Sequence, residues 1–286
     1  MNPLCEKTKN EINEILQSLY RNNGLDFTGC SLQMINRRIK KRIFSTKTGN
    51  FNSYFNYLQN NPGEFEMLVD ALTINVSKFF RNPICFEYFS KIIIPPIVSQ
   101  KLENNHSNIR VWSAGCSKGE EPYSVAINIC EYLKREKLQI NVNIFATDID
   151  KNALALARNG EYNFDSIKEV KVGVLRKYFT EFNEKYSINP DIKNMVDFSF
   201  FNLLNKNNYA PPNSIFGEFD VVLCRNTLIY FNTDSREKIF DKLFKSLKLN
   251  GYLILGDAET ISKKYETKFL RIGKFCKIYK KIRKSN

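Results

Sequence analysis

Histidine is almost absent from this sequence, and cysteine never occurs in the paired spacing that marks many metal sites. The 286 residues contain a single histidine, His106, which excludes a histidine-rich metal centre and disfavours a Ser-His-Asp triad. Seven cysteines are scattered along the chain without a Cys-x-x-Cys pair, which argues against a zinc site or a disulfide framework. We therefore expect a protein of the reducing cytoplasm whose chemistry needs neither a metal nor a triad.

Long apolar runs are also missing. The longest, Ile92–Val98, is far shorter than the roughly 20 residues of a membrane-spanning helix, and it contains two prolines. The first residues mix acidic, basic and polar side chains, which is not the pattern of a secretory signal peptide. The sequence thus predicts neither a membrane span nor export.

The net charge of +13 points to an acidic partner if the charge has a function. Nucleic acid, anionic lipid and an acidic protein surface all meet this description. A lysine-rich soluble protein without such a partner has the same composition. The location of the basic residues must separate these alternatives.

Residues 1–72 have the spacing of a small helical domain. One predicted helix covers about Leu32–Phe44, where Ile35, Ile39 and Ile43 recur every four residues and form an apolar stripe. The basic side chains of this helix stand opposite the stripe or on its flanks. Taken alone, such a face is most simply a solvated surface.

From Ile109 onward, strand and helix patterns alternate. Short apolar, β-branched runs lie at Ile109–Ser113, Val142–Thr147, Phe219–Cys224 and Tyr252–Leu255. Helical patterns separate them at Glu120–Arg135, Lys151–Arg158 and Ser235–Leu247. This alternation predicts a parallel sheet with helices on both faces. The segment Lys171–Asn202 interrupts it and is interpreted as a small antiparallel insert or as a helix with strands.

The first of these strands leads into a loop of small residues, Ala114–Gly119, before a helix begins with Glu120 and Glu121. Such a loop lets the backbone approach a ligand at the carboxyl edge of the sheet, where ligands of open α/β folds bind. The loop lacks the Gly-x-Gly-x-x-Gly pattern, and its two glutamates would repel a pyrophosphate. S-adenosylmethionine, which carries cationic groups and no phosphate, fits better than NAD, FAD or a nucleoside triphosphate.

Two further strand ends carry polar residues. Asp148 ends the second strand, where a carboxylate can accept hydrogen bonds from ribose hydroxyls, and Asp150 stands where the next helix needs an N-cap. Arg225 and Asn226 follow the four apolar residues Val221–Cys224 at the end of a later strand, a position typical of a substrate mouth. Taken singly, these residues are also consistent with turn carboxylates and ordinary surface polarity.

Four segments together resemble the CheR family of chemotaxis receptor methyltransferases. Leu72–Arg81 is similar to its LTTNLTxFFR segment, Val111–Ser124 to VWSAxxSxGEEPYS, Ala146–Tyr162 to ASDID…ARxGxY and Phe219–Phe231 to FDxIFCRNVxIYF. The segments occur in the family's order, and the resemblance runs from about residue 10 to about residue 280. One departure is Gly256–Glu259, which reads GDAE where many members read GHSE.

The resemblance implies an α/β fold, with a Rossmann-like S-adenosylmethionine-dependent methyltransferase domain that has a small β insert and follows a small all-α domain. The implied boundaries are residues 1–72 for the helical domain, 73–108 for a linker that contributes to the active site, and 109–286 for the methyltransferase domain, with the insert at about 171–200. A cytoplasmic monomer is expected, which meets the membrane only through its receptor.

The resemblance also implies roles for individual residues. S-adenosylmethionine, released as S-adenosylhomocysteine, would be held by Asn75, Ser77, Arg81, Glu121, Asp148, Asn202, Leu203, Arg225 and Asn226. Within this set, Asn202 and Leu203 would flank the adenine, and Asp148 would bind the ribose. Arg81 and Tyr230 would face the substrate glutamate as the catalytic residues. The choice between Glu120 and Glu121 for the methionine end stays open, and no metal is implied.

The family's receptor-docking helix aligns with the basic helix at residues 31–44. The implied docking residues are Arg37, Arg38, Lys40, Lys41 and Arg42. Their partner would be the acidic, glutamate-bearing helical bundle of a methyl-accepting chemotaxis receptor. The implied reaction is methyl transfer to a glutamate γ-carboxylate, which gives a methyl ester for sensory adaptation.

The alternative is a nucleic-acid methyltransferase that uses the basic surface. Amino-methylating enzymes of that class hold a flipped base with an [ND]PP[YFW] segment, whereas the corresponding strand end here reads Cys224-Arg225-Asn226. The only nearby Pro-Pro pair, at residues 211–212, precedes the strand. No nucleic-acid partner is therefore expected.

Overall fold

The chain divides into two compact units. The computed structural model describes residues 4–23, 25–73, 77–104, 108–205 and 208–283. The N-terminal unit contains residues 1–75 together with Tyr230–Glu237, and the sheet unit contains Val76–Ile229 and Lys238–Asn286. Among the residues described, no helix combines the length and the apolarity needed to cross a membrane.

Helices make up the N-terminal unit. They are α1 (Glu6–Asn23), α2 (Leu32–Thr46), α3 (Phe51–Asn60) and α4 (Pro62–Leu72). The predicted apolar stripe of α2 is confirmed, since all three of its isoleucines are buried. The segment Tyr230–Glu237 pairs with the turn before α2, where the Ser31 N–H donates to the Tyr230 carbonyl at 2.8 Å. The Asn232 N–H likewise donates to the Gly29 carbonyl at 3.0 Å, so this segment clusters with the helices.

The elements of the sheet unit alternate along the chain. In order they are α5 (Pro83–Tyr88), the π-helical turn Phe89–Ile93, α6 (Ile94–Glu103), β1 (Asn108–Ala114), α7 (Glu120–Arg135), β2 (Asn141–Asp148), α8 (Lys151–Asn159), β3 (Glu161–Tyr162), α9 (Phe164–Ile167), α10 (Val172–Tyr178), β4 (Phe179–Phe182), β5 (Lys185–Ile188), α11 (Pro190–Lys193), β6 (Val196–Phe200), β7 (Phe219–Cys224), α12 (Thr233–Ser246), β8 (Leu247–Leu255), β9 (Phe269–Arg271) and β10 (Lys277–Lys281). The first residues of α12 belong to the N-terminal unit.

A seven-stranded sheet has the order β6-β2-β1-β7-β8-β10-β9. Strands β6, β2, β1, β7 and β8 run parallel to one another, and β10 is antiparallel to both β8 and β9. The buried faces of β1 and β7 explain their apolar, β-branched sequences. The predicted Rossmann-like sheet is confirmed, and each of the four predicted strands is present.

The residues expected as a linker include a helical segment in the core of the sheet unit. Phe86, Phe89 and Ile97 pack in the same buried cluster as the sheet. Two prolines after Ile94 have no N–H to donate, and the hydrogen-bond spacing of the helix changes just before them. The Ile94 N–H donates to the Phe89 carbonyl, five residues earlier, which is the spacing of a π-helical turn.

A second, three-stranded sheet has the order β3-β5-β4. β4 and β5 join through Asn183 and Glu184, whose φ values of 47° and 60° suit a two-residue type I′ hairpin. The insert was expected at about 171–200, but this sheet begins earlier, at Glu161. Strand β6, which lies within the expected insert, pairs with β2 and so belongs to the large sheet. A two-residue strand leaves no periodicity in the sequence, and the alternation of aromatic and polar residues in β6 is typical of an antiparallel strand.

Candidate active site

The carboxyl ends of β1, β2 and β7 meet at one edge of the sheet, and the loop after β1 lies across this edge. The Gly115 and Cys116 N–H groups donate to the Thr147 carbonyl at 2.8 and 3.0 Å. Gly115 has φ +79°, and a Cβ at this position would collide with the Thr227 side chain. The position therefore requires glycine, both for its conformation and for the close approach of two strand ends.

Asp148 lies at the end of β2 with its carboxylate against this loop. Its Oδ2 accepts a hydrogen bond from the Ser117 N–H at 2.8 Å, and its Oδ1 accepts one from the Asp150 N–H at 3.0 Å. A carboxylate has about four lone-pair sites, so it can accept a ribose hydroxyl beside these backbone bonds. Burial raises the pKa of Asp148, and the backbone bonds oppose that rise. Asp150 caps α8 as predicted, since it accepts from the Asn152 and Ala153 N–H groups at 2.8 and 3.0 Å.

The adjacent glutamates that begin α7 have different surroundings. Glu120 is 1% exposed, its Oε1 accepts a hydrogen bond from the Ser166 hydroxyl at 3.4 Å, its Oε2 has no partner among the described residues, and burial raises its pKa. Glu121 accepts a hydrogen bond from the Ser113 hydroxyl at 2.8 Å, which places it at the end of β1. Glu121 is therefore the glutamate that lies among the strand ends.

Arg225, at the end of β7, connects three parts of the site. Its Nη1 lies 3.2 Å from Glu121 Oε2, and its Nη2 donates to the Arg81 carbonyl at 2.8 Å. The side chains of Arg225 and Glu121 are 5% and 12% exposed, so the pair is shielded from solvent. Burial opposes the cation, but the surrounding groups, led by the Glu121 charge, leave the pKa of Arg225 raised. The structure thus brings Arg81, Glu121 and Arg225 together from separate segments.

Glu259, which sequence reasoning missed, holds the turn after β7. Its buried carboxylate accepts four backbone N–H bonds. Oε1 accepts from Thr227 and Leu228 at 2.8 and 2.7 Å, and Oε2 accepts from Asn226 and Gly256 at 3.0 and 2.7 Å. Asn226 has φ 57°, a left-handed conformation that asparagine tolerates. The signal in the sequence was the GDAE segment, in which a glutamate stands four residues after the end of β8.

The turn after β6 contains Asn202 and Leu203, the predicted neighbours of the adenine. The Asn205 N–H donates to the Asn202 carbonyl at 2.9 Å. Lys242 of α12 is 5% exposed, and its Nζ donates to the Asn205 carbonyl at 2.6 Å. The same Nζ lies 4.7 Å from the centroid of the Phe201 ring. Burial lowers the pKa of Lys242 from its ordinary value of 10.5 to about 8.

This lysine gives the turn a pH dependence. If the turn contacts the adenine, we expect the affinity for S-adenosylmethionine to fall as the pH rises through about 8, because Lys242 then loses its charge. Without its charge, Lys242 loses a cation–π contact, worth about 1 kcal/mol, that we expect to hold the turn in its binding conformation, so the dissociation constant is expected to rise about five-fold between pH values of about 7 and 9. Titration calorimetry of the wild type and of Lys242→Met measures this effect, and the variant is expected to bind more weakly at every pH.

Lys245→Met is the matched control, since Lys245 is on the same helix and its side chain is 47% exposed. The expected loss of affinity at high pH cannot be caused by unfolding of the protein, because Lys242 makes the folded state more stable as the pH rises. The pKa of Lys242 is lower in the folded chain than in the unfolded chain, so the free energy of unfolding rises with pH between about 8 and 10.5. An affinity for S-adenosylmethionine that stays constant between pH values of about 7 and 9 would contradict the role of Lys242.

The remaining residues that the sequence predicted for the site are distributed as follows. Asn75 lies outside the described residues. Tyr230 is half-buried and belongs to the N-terminal unit, whereas Arg225 belongs to the sheet unit. Arg81 is exposed, and Asn226 and Ser77 are half-buried within the sheet unit.

The basic residues of α2 fall into two groups. Arg37, Lys40 and Lys41 are exposed, and Arg38 is half-buried. The guanidinium of Arg42 instead forms two bonds to the buried Glu64, Nε–Oε1 at 2.8 Å and Nη2–Oε2 at 2.7 Å. The charge of Arg42 is therefore paired inside the N-terminal unit.

The strand ends of the sheet unit suit S-adenosylmethionine. They offer carboxylates to an ammonium group and to ribose hydroxyls, and the loop at Gly115 permits close approach, while the glutamates that begin α7 disfavour a phosphate. Within the described ranges, no group of three or more His, Cys, Asp or Glu residues is placed to hold a metal ion. The fold and the site together define an S-adenosylmethionine-dependent methyltransferase.

The chain belongs to the CheR methyltransferase family. Residues 10–73 match the family's all-alpha domain, and residues 75–275 match its SAM binding domain. The chain is 32% identical to the chemotaxis protein methyltransferase of Borreliella burgdorferi, over 89% of this chain and 89% of that protein. It is 33% identical to chemotaxis protein methyltransferase 2 of Vibrio cholerae, over 85% and 83% of the two chains. The resemblance drawn from the four sequence segments is confirmed.

Proposed function

We propose that the chain methylates glutamate side chains of methyl-accepting chemotaxis receptors, with S-adenosylmethionine as methyl donor and S-adenosylhomocysteine as product. The names of the relatives support this substrate class, since they are chemotaxis protein methyltransferases. The main structural support is the hydrogen bond from Arg225 to the Arg81 carbonyl, beside Glu121. It holds an exposed arginine at the sheet edge where the cofactor would bind, and a guanidinium there suits a carboxylate substrate.

The residues of this chain have little proton chemistry to perform. S-adenosylmethionine supplies a methyl group already activated on a sulfonium. A substrate glutamate with an ordinary pKa of about 4.3 is ionised at neutral pH, so the chain needs no general base. Its task is to align the carboxylate with the methyl donor and to exclude water from groups whose charges cancel as they react.

We assign the individual roles as follows. The cofactor is surrounded by Asn75, Ser77, Arg81, Glu121, Asp148, Asn202, Leu203, Arg225 and Asn226. Of the two adjacent glutamates, Glu121 binds the ammonium group, because Glu120 is buried against Ser77 and Ser166. Asp148 accepts hydrogen bonds from the ribose hydroxyls. Arg81 orients the substrate carboxylate, and Tyr230 donates a hydrogen bond to it.

The docking surface on the receptor's acidic helical bundle is the basic face of α2. Arg37, Lys40 and Lys41 are exposed there and suit carboxylates. Arg42 has a separate role in this proposal, because its ion pair with Glu64 fastens α2 to α4. The protein acts as a cytoplasmic monomer that approaches the membrane only through its receptor.

Charge reversal on α2 is expected to weaken receptor methylation without affecting the cofactor. Exposed ion pairs contribute up to about 1 kcal/mol each, so Arg37→Glu combined with Lys41→Glu is expected to raise the KM for the receptor about ten-fold. The dissociation constant for S-adenosylhomocysteine should stay within two-fold of wild type. Lys7→Glu, at an exposed position on α1, is the control. An unchanged KM in the double variant would rule out this docking surface.

Transfer of labelled methyl groups tests the choice of acceptor. The purified protein is incubated with methyl-labelled S-adenosylmethionine and with either receptor-containing membranes or nucleic acid from the same cells. We expect label in the receptor band and none in DNA or RNA. Label in nucleic acid, accompanied by a gel shift that weakens with salt, would contradict the proposal.

A further inference from the structure

The turn between β9 and β10 lies at the same edge of the sheet as the candidate active site. Lys277, the first residue of β10, pairs with Leu255, the last residue of β8, and the two strands are antiparallel. The residues just before Lys277 therefore extend past the end of β8, on the carboxyl edge of the parallel strands. None of the roles assigned above uses this turn.

The turn is fixed against α5, which begins two residues after Arg81. The Tyr88 hydroxyl, at the end of α5, donates to the Ile272 carbonyl at 2.7 Å. The thiols of Cys85 and Cys276 are buried in the same hydrophobic cluster and lie near enough to affect each other's pKa, which places the start of α5 beside the end of the turn. The turn and α5 thus form one packed surface next to the segment that contains Arg81.

A further contact orders the turn itself. The Arg271 Nε donates to the Gly273 carbonyl at 3.0 Å, and its Nη2 donates to the Lys274 carbonyl at 3.4 Å. These bonds hold the backbone while the Lys274 and Phe275 side chains stay at the surface. The exposed side chains are therefore displayed by an ordered backbone.

Large apolar side chains on both elements face solvent. Ile84 precedes Cys85 and is 62% exposed, and Phe275 precedes Cys276 and is 72% exposed. Lys274 is exposed as well, with its Nζ 5.7 Å from the centroid of the Phe275 ring. Exposed large apolar residues beside an active site are typical of a surface that a partner covers.

We propose that Ile84, Lys274 and Phe275 form a rim that binds the protein substrate beside its target glutamate. This inference rests on the proposed function, because it names where the catalytic unit itself holds the receptor. The occupant is a helical segment that presents both acidic and apolar side chains. Acidic groups suit Lys274, apolar groups pack on Ile84 and Phe275, and the neighbouring Arg81 is exposed to receive the target carboxylate.

Variants at the rim are tested with a soluble cytoplasmic fragment of the receptor, without membranes. We expect Phe275→Ser to raise the KM for the fragment about ten-fold, as for a central aromatic contact. Lys274→Glu is expected to raise it about three-fold. The dissociation constant for S-adenosylhomocysteine should be unchanged, and direct binding of the fragment should weaken in parallel with the KM.

Leu270→Ser is the matched control, because Leu270 is 53% exposed on the same hairpin but pairs with Lys280, further from the site edge. A normal KM and normal fragment binding in both rim variants would contradict the proposal that the rim binds the protein substrate. An effect seen only with intact membranes would overturn it as well, since it would indicate a lipid contact. If the fragment binds in a Phe275-dependent manner but receives no methyl group, the rim stands and the proposed reaction fails.

Discussion

Replacing Glu259 by glutamine is expected to reduce kcat/KM about a hundred-fold, although no role in binding either substrate is assigned to this residue. The four N–H groups on its carboxylate include those of Asn226 and Leu228, which follow Arg225 in the chain. A glutamine has one acceptor oxygen, so its amide group would face two N–H donors at short range. The turn after β7 must then move, and a displacement of about 1 Å at an active site can cost a hundred-fold in rate.

The same substitution is expected to destabilise the protein. Each N–H left without an acceptor costs about 1–3 kcal/mol, so the free energy of unfolding should fall by about 3 kcal/mol. Denaturant titration measures this change, and assays well below the unfolding transition separate it from the loss of activity. Glu266→Gln, at an exposed position, is the control. Wild-type activity in Glu259→Gln would show that the turn does not depend on this carboxylate.

Replacing Arg225 by methionine is expected to have an effect of similar or greater size. The substitution removes the cation beside Glu121 and the donor to the Arg81 carbonyl. Breaking a buried ion pair costs about 3–5 kcal/mol, because the remaining charge is left without its partner. We expect kcat/KM to fall by at least about a hundred-fold, and the KM for S-adenosylmethionine to rise as Glu121 changes position.

A double-mutant cycle tests whether Arg225 acts through Glu121. Arg225→Met and Glu121→Gln together should cost less than the sum of the two single changes, since either change already breaks the pair. Arg135→Met is a suitable control, because the pair between Arg135 and Glu136 is exposed and such pairs contribute little. Strict additivity of the two changes would mean that Arg225 and Glu121 act independently.

The sequence predicted those parts of the fold that repeat a local pattern. Ile35, Ile39 and Ile43 indicated the buried stripe of α2, and Asp150 indicated the start of α8, because both depend on residues close together in the chain. The strands β3 and β9 were missed, since two or three residues give no periodicity. The helix around the prolines after Ile94 was not predicted either, since proline is usually read as a helix terminator.

In the candidate site, too, residues next to a strand in the chain could be predicted, and residues brought in by tertiary packing could not. The loop at Gly115 and the carboxylate of Asp148 stand next to strands in the chain, so the sheet pattern alone places them at one edge. The sequence around Glu259 and Lys242 does not show which groups these side chains bind. They act on turns more than 30 residues away in the chain, and only the packing of β8 and α12 brings them there.

The stability of the transferred label in alkali tests most directly whether the product is a methyl ester on a glutamate carboxylate. Receptor labelled by this protein with methyl-labelled S-adenosylmethionine is treated with base, and volatile label is collected. Our account predicts that the label leaves the receptor as methanol, because alkali hydrolyses an ester. Label that stays on the receptor would indicate methylation of nitrogen and would contradict the account.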